Sequence, residues 1–255
     1  MIETNFNEAE LEIINLDDVE VEEIEWLWYP YIPYGKLTII QGDPGCGKTM
    51  ACLNLASMIS RGEPLPFSEG SETAAGVVIY QTSEDGIADT IKPRLLNANA
   101  NCNNICIINE DKCPLYFDDV RIGQAIIQTK ARLMILDPLS AYIGEEVNLN
   151  QAVQVRGAFH RLYAVAQRNK CAILIVSHMN KMNGLSALYR VNGSVDISGA
   201  VRSILTVCED RDDKDLRLIV HVKSNLAKKG DAIVYRLSDK VEWIEKREIS
   251  ADDYF

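Results

Sequence analysis

The chain has 255 residues, of which 47% are hydrophobic and 25% charged, and its formal net charge is −11. This composition is typical of one large α/β domain, and it excludes the disordered, fibrous and disulfide-rich classes. The sequence lacks the run of about 18 apolar residues that a membrane helix needs and starts unlike a signal peptide, so we expect no membrane segment.

Seven cysteines are scattered among apolar neighbours. An odd number in this setting favours a reducing, cytoplasmic location. Cys102, Cys106 and Cys113 lie close together, but their spacing matches no common zinc pattern. We therefore expect free thiols.

The negative charge is concentrated at the N-terminus, in an acidic segment that we call the leader (residues 1–25). It holds ten of the 37 acidic residues and no Lys or Arg, which leaves 27 acids against 26 bases in the rest of the chain. Overall charge therefore neither supports nor excludes DNA binding. Because Leu, Ile and Val alternate with the acids, the leader is either a solubilising tail or a docking segment.

An aromatic stretch with two prolines, residues 26–34, follows the leader. Prolines at Pro30 and Pro33 prevent a continuous helix, so we expect an extended arm packed against the body. It could cover the core or form one wall of a nucleotide site.

A phosphate-binding loop comes next and is the strongest motif in the chain. Its residues are Gly42, Asp43, Pro44, Gly45, Cys46, Gly47, Lys48 and Thr49. They fit G-x-x-x-x-G-K-[ST] without a mismatch: the glycines let backbone N–H groups face a phosphate, Lys48 reaches the β- and γ-phosphates, and Thr49 offers a hydroxyl to Mg²⁺. With Met50, these residues are predicted to bind ATP.

Strands and helices alternate around and after this loop. Apolar strands are predicted at residues 37–41, 77–81, 104–108, 133–137 and 172–177, and helices at 50–60, 87–98, 119–130 and 150–169. This order predicts a mainly parallel sheet with helices on both faces. Strands at residues 201–207, 216–224, 232–237 and 241–244 then predict a C-terminal antiparallel extension.

Acidic residues stand at the ends of two predicted strands. Asp137 ends the most apolar one, where a Walker B acid would hold Mg²⁺. Many ATPases place the catalytic glutamate directly after this acid, but Pro138 occupies that position. Glu84 is therefore our candidate to polarise the attacking water, with Asp85 as a helix cap or supporting residue. The alternative is that both acids only cap the next helix.

His178 follows a third strand, where a polar group could sense the γ-phosphate. The loop after it, residues 179–194, contains Lys181, Tyr189 and Arg190 among Asn, Gly and Ser. That composition suits a loop that binds single-stranded nucleic acid, although two bases and one aromatic are a weak signal.

These motifs resemble the RecA-type ATPases, in the single-domain branch near the hexameric plasmid helicase RepA, with DnaB-type motors and RadA more distant. The resemblance covers residues 26–230 and depends most on WLWYPYIPYGKLTIIQGDPGCGKT, YQTSED, RLMILDPLS and ILIVSHMNK. It implies a RecA-like ATPase domain at residues 26–255, ATP and Mg²⁺ as cofactors, and a hexameric homo-oligomer.

The resemblance also assigns roles to single residues. Lys48 and Thr49 match the phosphate and Mg²⁺ contacts, Glu84 the catalytic glutamate, Asp137 the Walker B acid and His178 the sensor. Arg202 is similar to an arginine that acts on the neighbouring subunit's nucleotide, and Lys223 to the lysine of a K-x-R finger, whose arginine position holds Asn225. Arg94 is a candidate to stack on adenine.

Two functions remain open at this point. The first is an ATP-driven ring motor of phage, plasmid or integrated-element replication that acts on single-stranded DNA. The second is an ATP-dependent switch or assembly factor that binds protein partners without moving along DNA. A small-molecule kinase would need an acceptor pocket and lid arginines, for which the sequence gives no sign.

Overall fold

Runs of β-branched and apolar residues form the centre of the structure, a computed structural model that describes residues 13–68, 74–144, 147, 151–179, 195–249 and 251–254. The strands are β1 Trp26–Trp28, β2 Ile32–Pro33, β3 Leu37–Gly42, β4 Val78–Thr82, β5 Ile105–Cys106, β6 Leu133–Asp137, β7 Ala172–His178, β8 Ser203–Glu209, β9 Leu216–Ser224, β10 Ala232–Leu237 and β11 Val241–Arg247. The α-helices are α1 Lys48–Arg61, α2 Lys92–Asn97, α3 Val120–Thr129, α4 Leu139–Tyr142, α5 Ala152–Arg168, α6 Val195–Ala200 and α7 Ala251–Tyr254.

Nine strands form one sheet in the order β11-β10-β9-β8-β3-β7-β6-β4-β5. All pairs from β8 to β5 are parallel, whereas β8–β9, β9–β10 and β10–β11 are antiparallel. The predicted fold class, a mainly parallel sheet with a C-terminal antiparallel extension, is confirmed. One detail differs: β8, predicted as part of the extension, pairs in parallel with β3 and completes the parallel part of the sheet.

Helices cover both faces of this sheet, as predicted for strands that are apolar on both sides. Alternate residues of β3 enter different cores, since Ile39 packs with α3 and α5 whereas Ile40 packs with α1. The predicted helix at residues 87–98 is divided into a π-helical turn, Ile87–Ile91, and α2. No helix of the described residues is long and apolar enough to span a bilayer, and all seven cysteines are free thiols.

The aromatic stretch forms a small antiparallel hairpin of β1 and β2 instead of a single extended arm. Trp28 and Tyr31 are each only 1% exposed. The Trp28 indole donates to the carbonyl of Pro66 at 3.0 Å, and the Tyr31 hydroxyl donates to the carbonyl of Asp231 at 2.8 Å. These contacts make the hairpin a cover of the core on the α1 face.

Candidate active site

The phosphate loop connects the end of β3 to the start of α1 and is tightly enclosed. A Cβ at Gly42 would lie 2.4 Å from the carbonyl oxygen of Val207 in β8, so only glycine fits there. Gly45 and Gly47 have φ angles of +77° and +99°, which glycine adopts without the steric penalty of other residues. Leu237, in β10, lies on the other side of Gly47. The loop is therefore a rigid turn that directs the N-terminus of α1 toward an anion.

Lys48 is 4% exposed and lies across this loop. Its ammonium group donates to the carbonyl oxygens of Gly42 at 2.9 Å and Asp43 at 2.8 Å. The positive charge is thus held within the turn where the backbone N–H groups of the loop are gathered. This is the position that a cation needs to meet phosphate oxygens.

Asp137 ends β6 and joins the phosphate loop through Thr49. The Thr49 hydroxyl donates to Asp137 Oδ2 at 2.9 Å, and the Tyr80 hydroxyl donates to the same oxygen at 2.8 Å. Burial raises the pKa of Asp137, and these two hydrogen bonds act in the opposite direction. Burial also raises the pKa of Tyr80, which keeps the phenol protonated as a donor.

The chemistry of this pair fits a Mg²⁺ ion. Asp137 is 6% exposed, and within the described residues its carboxylate is held by two neutral hydroxyls and by no ion pair. The described residues contain no cluster of three or more His, Cys, Asp or Glu that could hold a metal alone. Mg²⁺ commonly binds through one or two protein oxygens together with nucleotide phosphates and water. Thr49 and Asp137 supply such a donor set.

Glu84 and His178 meet at the same edge of the sheet. Thr82 pairs with Asp137 between β4 and β6, and Gly42 pairs with His178 between β3 and β7. As a result, Glu84 Oε1 lies 3.9 Å from His178 Nε2. The two side chains are 61% and 33% exposed, so Glu84 is open to water while His178 is partly enclosed.

Asp85 and Arg94 pair with each other instead of with Glu84. The Arg94 guanidinium donates to Asp85 Oδ2 at 2.9 Å. Together with Met50, Arg94 lines a shallow cleft between α1, α2 and the turn that joins β10 to β11. The two residues predicted to contact the nucleotide outside the loop therefore share one cleft beside α1.

Arg202 and Lys223 lie at the opposite edge of the sheet. The Arg202 backbone N–H donates to the carbonyl of Leu37 at 3.1 Å, at the start of β3, whereas the phosphate loop follows its end. Five residues of strand separate the two edges, or roughly 17 Å. Neither residue can reach the phosphate loop of its own chain. The exposed Arg202 and the Lys223 amine are close enough that Arg202 adds to the burial that lowers the pKa of Lys223.

Lys223 is also engaged with its own backbone. Its amine donates to the carbonyls of Val201 at 2.9 Å and Ser198, at and just after the C-terminal end of α6. Lys181, Tyr189 and Arg190 lie outside the described residues. Sequence reasoning missed Tyr80, because a tyrosine inside an apolar strand resembles any other core residue.

Comparison with known proteins agrees with this geometry. A family model described as an AAA domain matches residues 3–184. None of the curated proteins matches the chain. Among solved structures, the ATPase domain of a helicase is similar, with a TM-score of 0.62 and 16% sequence identity over 82% of this chain and 85% of that one. At this identity the likeness shows the fold, a RecA-like ATPase domain.

Proposed function

The chain belongs to the AAA domain family, and on that basis we propose that it is a Mg²⁺-dependent ATPase that works in a homo-oligomeric ring as a replicative, helicase-type DNA motor. Such motors serve phages, plasmids and integrated elements, and we place this one in the cytoplasm. The observation that carries the ATPase proposal is the convergence of Lys48, Thr49, Asp137, Glu84 and His178 at one edge of the sheet.

ATP binding would begin at the phosphate loop. Backbone N–H groups of the loop and of the α1 N-terminus would surround the β-phosphate. The ammonium of Lys48 would exchange the carbonyls of Gly42 and Asp43 for oxygens of the β- and γ-phosphates. Since those carbonyls are neutral, a doubly charged phosphate is the stronger partner.

Thr49 and Asp137 would hold Mg²⁺ beside the phosphates. When bound, the metal supplies positive charge that neutralises the β- and γ-phosphate oxygens. Thr49 can serve it because its hydrogen is donated to Asp137, which leaves the oxygen lone pairs free.

Glu84 would position the attacking water and accept its proton. The water oxygen forms a bond to the γ-phosphorus while the bond from that phosphorus to the bridging oxygen of ADP breaks. A carboxylate that is 61% exposed has room for this water. His178, next to both Gly42 and Glu84, would report the presence of the γ-phosphate to the loop that follows it.

The position of Arg202 supports the ring. This exposed side chain lies at the edge away from its own phosphate loop, so only a neighbouring subunit's nucleotide is within its reach. An arginine supplied in this way would stabilise charge in the transition state. Lys223 could assist only after leaving the carbonyls of Ser198 and Val201.

The motor proposal is tested by measuring ATP turnover with and without single-stranded DNA at low salt. We expect turnover that depends on Mg²⁺ and increases with DNA. An ATPase that neither binds single-stranded DNA nor responds to it would refute the motor while leaving ATP hydrolysis in place. Gel filtration with ATP and Mg²⁺ tests the ring, since a strictly monomeric profile contradicts it.

The second candidate is an ATP-dependent switch that docks protein partners, and one observation favours it. Six large apolar side chains of the leader are exposed: Ile13, Ile14, Leu16, Val19, Val21 and Ile24. Acidic residues between them make an apolar, negatively charged segment of the kind that a complementary protein surface binds. Removal of residues 1–24 separates the two functions, because a DNA motor would keep its DNA-stimulated turnover and a docking switch would lose its partner.

A further inference from the structure

Two hydroxyl groups donate to the same oxygen of Asp137. Thr49, from the phosphate loop, donates to Oδ2 at 2.9 Å, and Tyr80, from the middle of β4, donates to it at 2.8 Å. No described residue donates to Oδ1. Tyr80 is fully buried, and its ring lies in the core between the sheet and α1. The carboxylate is therefore fixed in rotation by a rigid side chain from a neighbouring strand.

We propose that Tyr80 is a positioning residue for the metal site: its hydroxyl holds Asp137 Oδ2 so that Oδ1 stays available to Mg²⁺ or to the water molecules around it. This inference rests on the proposed function, because it assigns Tyr80 a role at the same site. Groups that orient a metal ligand commonly contribute tenfold or more to metal affinity, because a ligand free to rotate loses part of its favourable geometry.

The position of Tyr80 along β4 supports the assignment. Four residues later the same strand leads to Glu84, the candidate base, so one element carries both the support for the metal ligand and the group that acts on water. A shift of β4 relative to β6 would thus change both together. The register Tyr80 with Ile135 and Thr82 with Asp137 keeps the two strands aligned.

The chain contains a matched control. Tyr142 is also buried, at 1% exposure, and its hydroxyl donates to a carboxylate, Glu110 Oε1, at 3.2 Å. Glu110 belongs to a separate network with Gln81 and the backbone of Leu115. Tyr142→Phe therefore removes the same chemical group from a comparable setting without touching Asp137.

The test is the affinity of the protein–ADP complex for Mn²⁺, measured from the electron paramagnetic resonance signal of free Mn²⁺. Tyr80→Phe should weaken Mn²⁺ binding by about tenfold or more, while ADP binding without metal and the melting temperature match those of Tyr142→Phe. In an Asp137→Asn background, Tyr80→Phe should have no further effect, because its action passes through that carboxylate.

Unchanged Mn²⁺ affinity in Tyr80→Phe would overturn the inference, as would an equal loss in Tyr142→Phe or a full additional loss in the Asp137→Asn background. A wild-type complex that takes up no Mn²⁺ would also overturn it. If the wild type binds Mn²⁺ with ADP and shows the Tyr80 effect but does not hydrolyse ATP, the proposed function fails while the positioning role stands.

Discussion

Replacement of Glu84 by glutamine should stop ATP turnover while leaving the fold and ATP binding intact. The structural cost is small, since the side chain is 61% exposed and its nearest charged neighbour, His178, is 3.9 Å away. An exposed pair of this kind contributes at most about 1 kcal/mol. For a domain of this size, that corresponds to a change in melting temperature of less than about 4 °C.

The kinetic cost should be much larger. A general base contributes about 10²- to 10⁴-fold to a rate, or roughly 3 to 5 kcal/mol in activation free energy. Glutamine keeps the shape of the side chain and can still contact a water molecule, but it cannot accept the proton. The change in activation free energy should therefore exceed the change in stability several times over, which distinguishes loss of a base from loss of structure.

The assay is single-turnover hydrolysis of γ-labelled ATP, with binding of a fluorescent ATP analogue measured in parallel. Asp85→Asn is the matched control, because Asp85 is the adjacent acid but is paired with Arg94 at 2.9 Å. We expect this control to retain most of the turnover. Hydrolysis by Glu84→Gln within tenfold of the wild type, or a greater loss in Asp85→Asn, would refute the assignment of the base.

Three further predictions address other parts of the molecule. Lys48→Ala should abolish productive nucleotide binding, measured by fluorescence titration, and binding at wild-type affinity would contradict the role of its ammonium group. Burial lowers the pKa of His221 to about 4, so its contribution to stability is full above pH 6.5 and is lost as the pH falls toward 4. The decrease in melting temperature between pH 7 and pH 5 should therefore be smaller in His221→Gln. A mixture of Arg202→Ala with Glu84→Gln should recover turnover that neither variant shows alone, since a mixed interface joins one intact base to one intact arginine, and no recovery would argue against action in trans.

The sequence was sufficient to predict most of the sheet and the centre of the site. Strand β6 and the phosphate loop carry their own signals, because a buried strand is continuously apolar and a phosphate turn demands glycine at set positions. The closeness of Asp137 to Thr49 followed from a general rule that carboxyl ends of parallel strands meet at one edge. The observed hydrogen bond of 2.9 Å agrees with that rule.

Other features depended on contacts that no local pattern contains. The pairing of β8 with β3 joins residues more than 160 positions apart, and periodicity cannot distinguish it from an antiparallel pairing. The link from Tyr80 to Asp137 spans 57 positions and depends on the register of two strands. Likewise, Lys223 was identified by resemblance to a finger residue, whereas its bonds to Ser198 and Val201 became visible only in three dimensions.

The separation of Arg202 from the phosphate loop has a direct consequence for activity. Each chain has the phosphate loop at one edge of its sheet and this arginine at the other, so no single chain can bring both to the same nucleotide. If Arg202 contributes to turnover, the specific activity must rise with protein concentration until assembly is complete, and the rise must disappear in Arg202→Ala. An activity per chain that is high and constant down to concentrations where only monomer remains would show that hydrolysis depends on the carboxyl edge alone, and Arg202 would then have no part in catalysis.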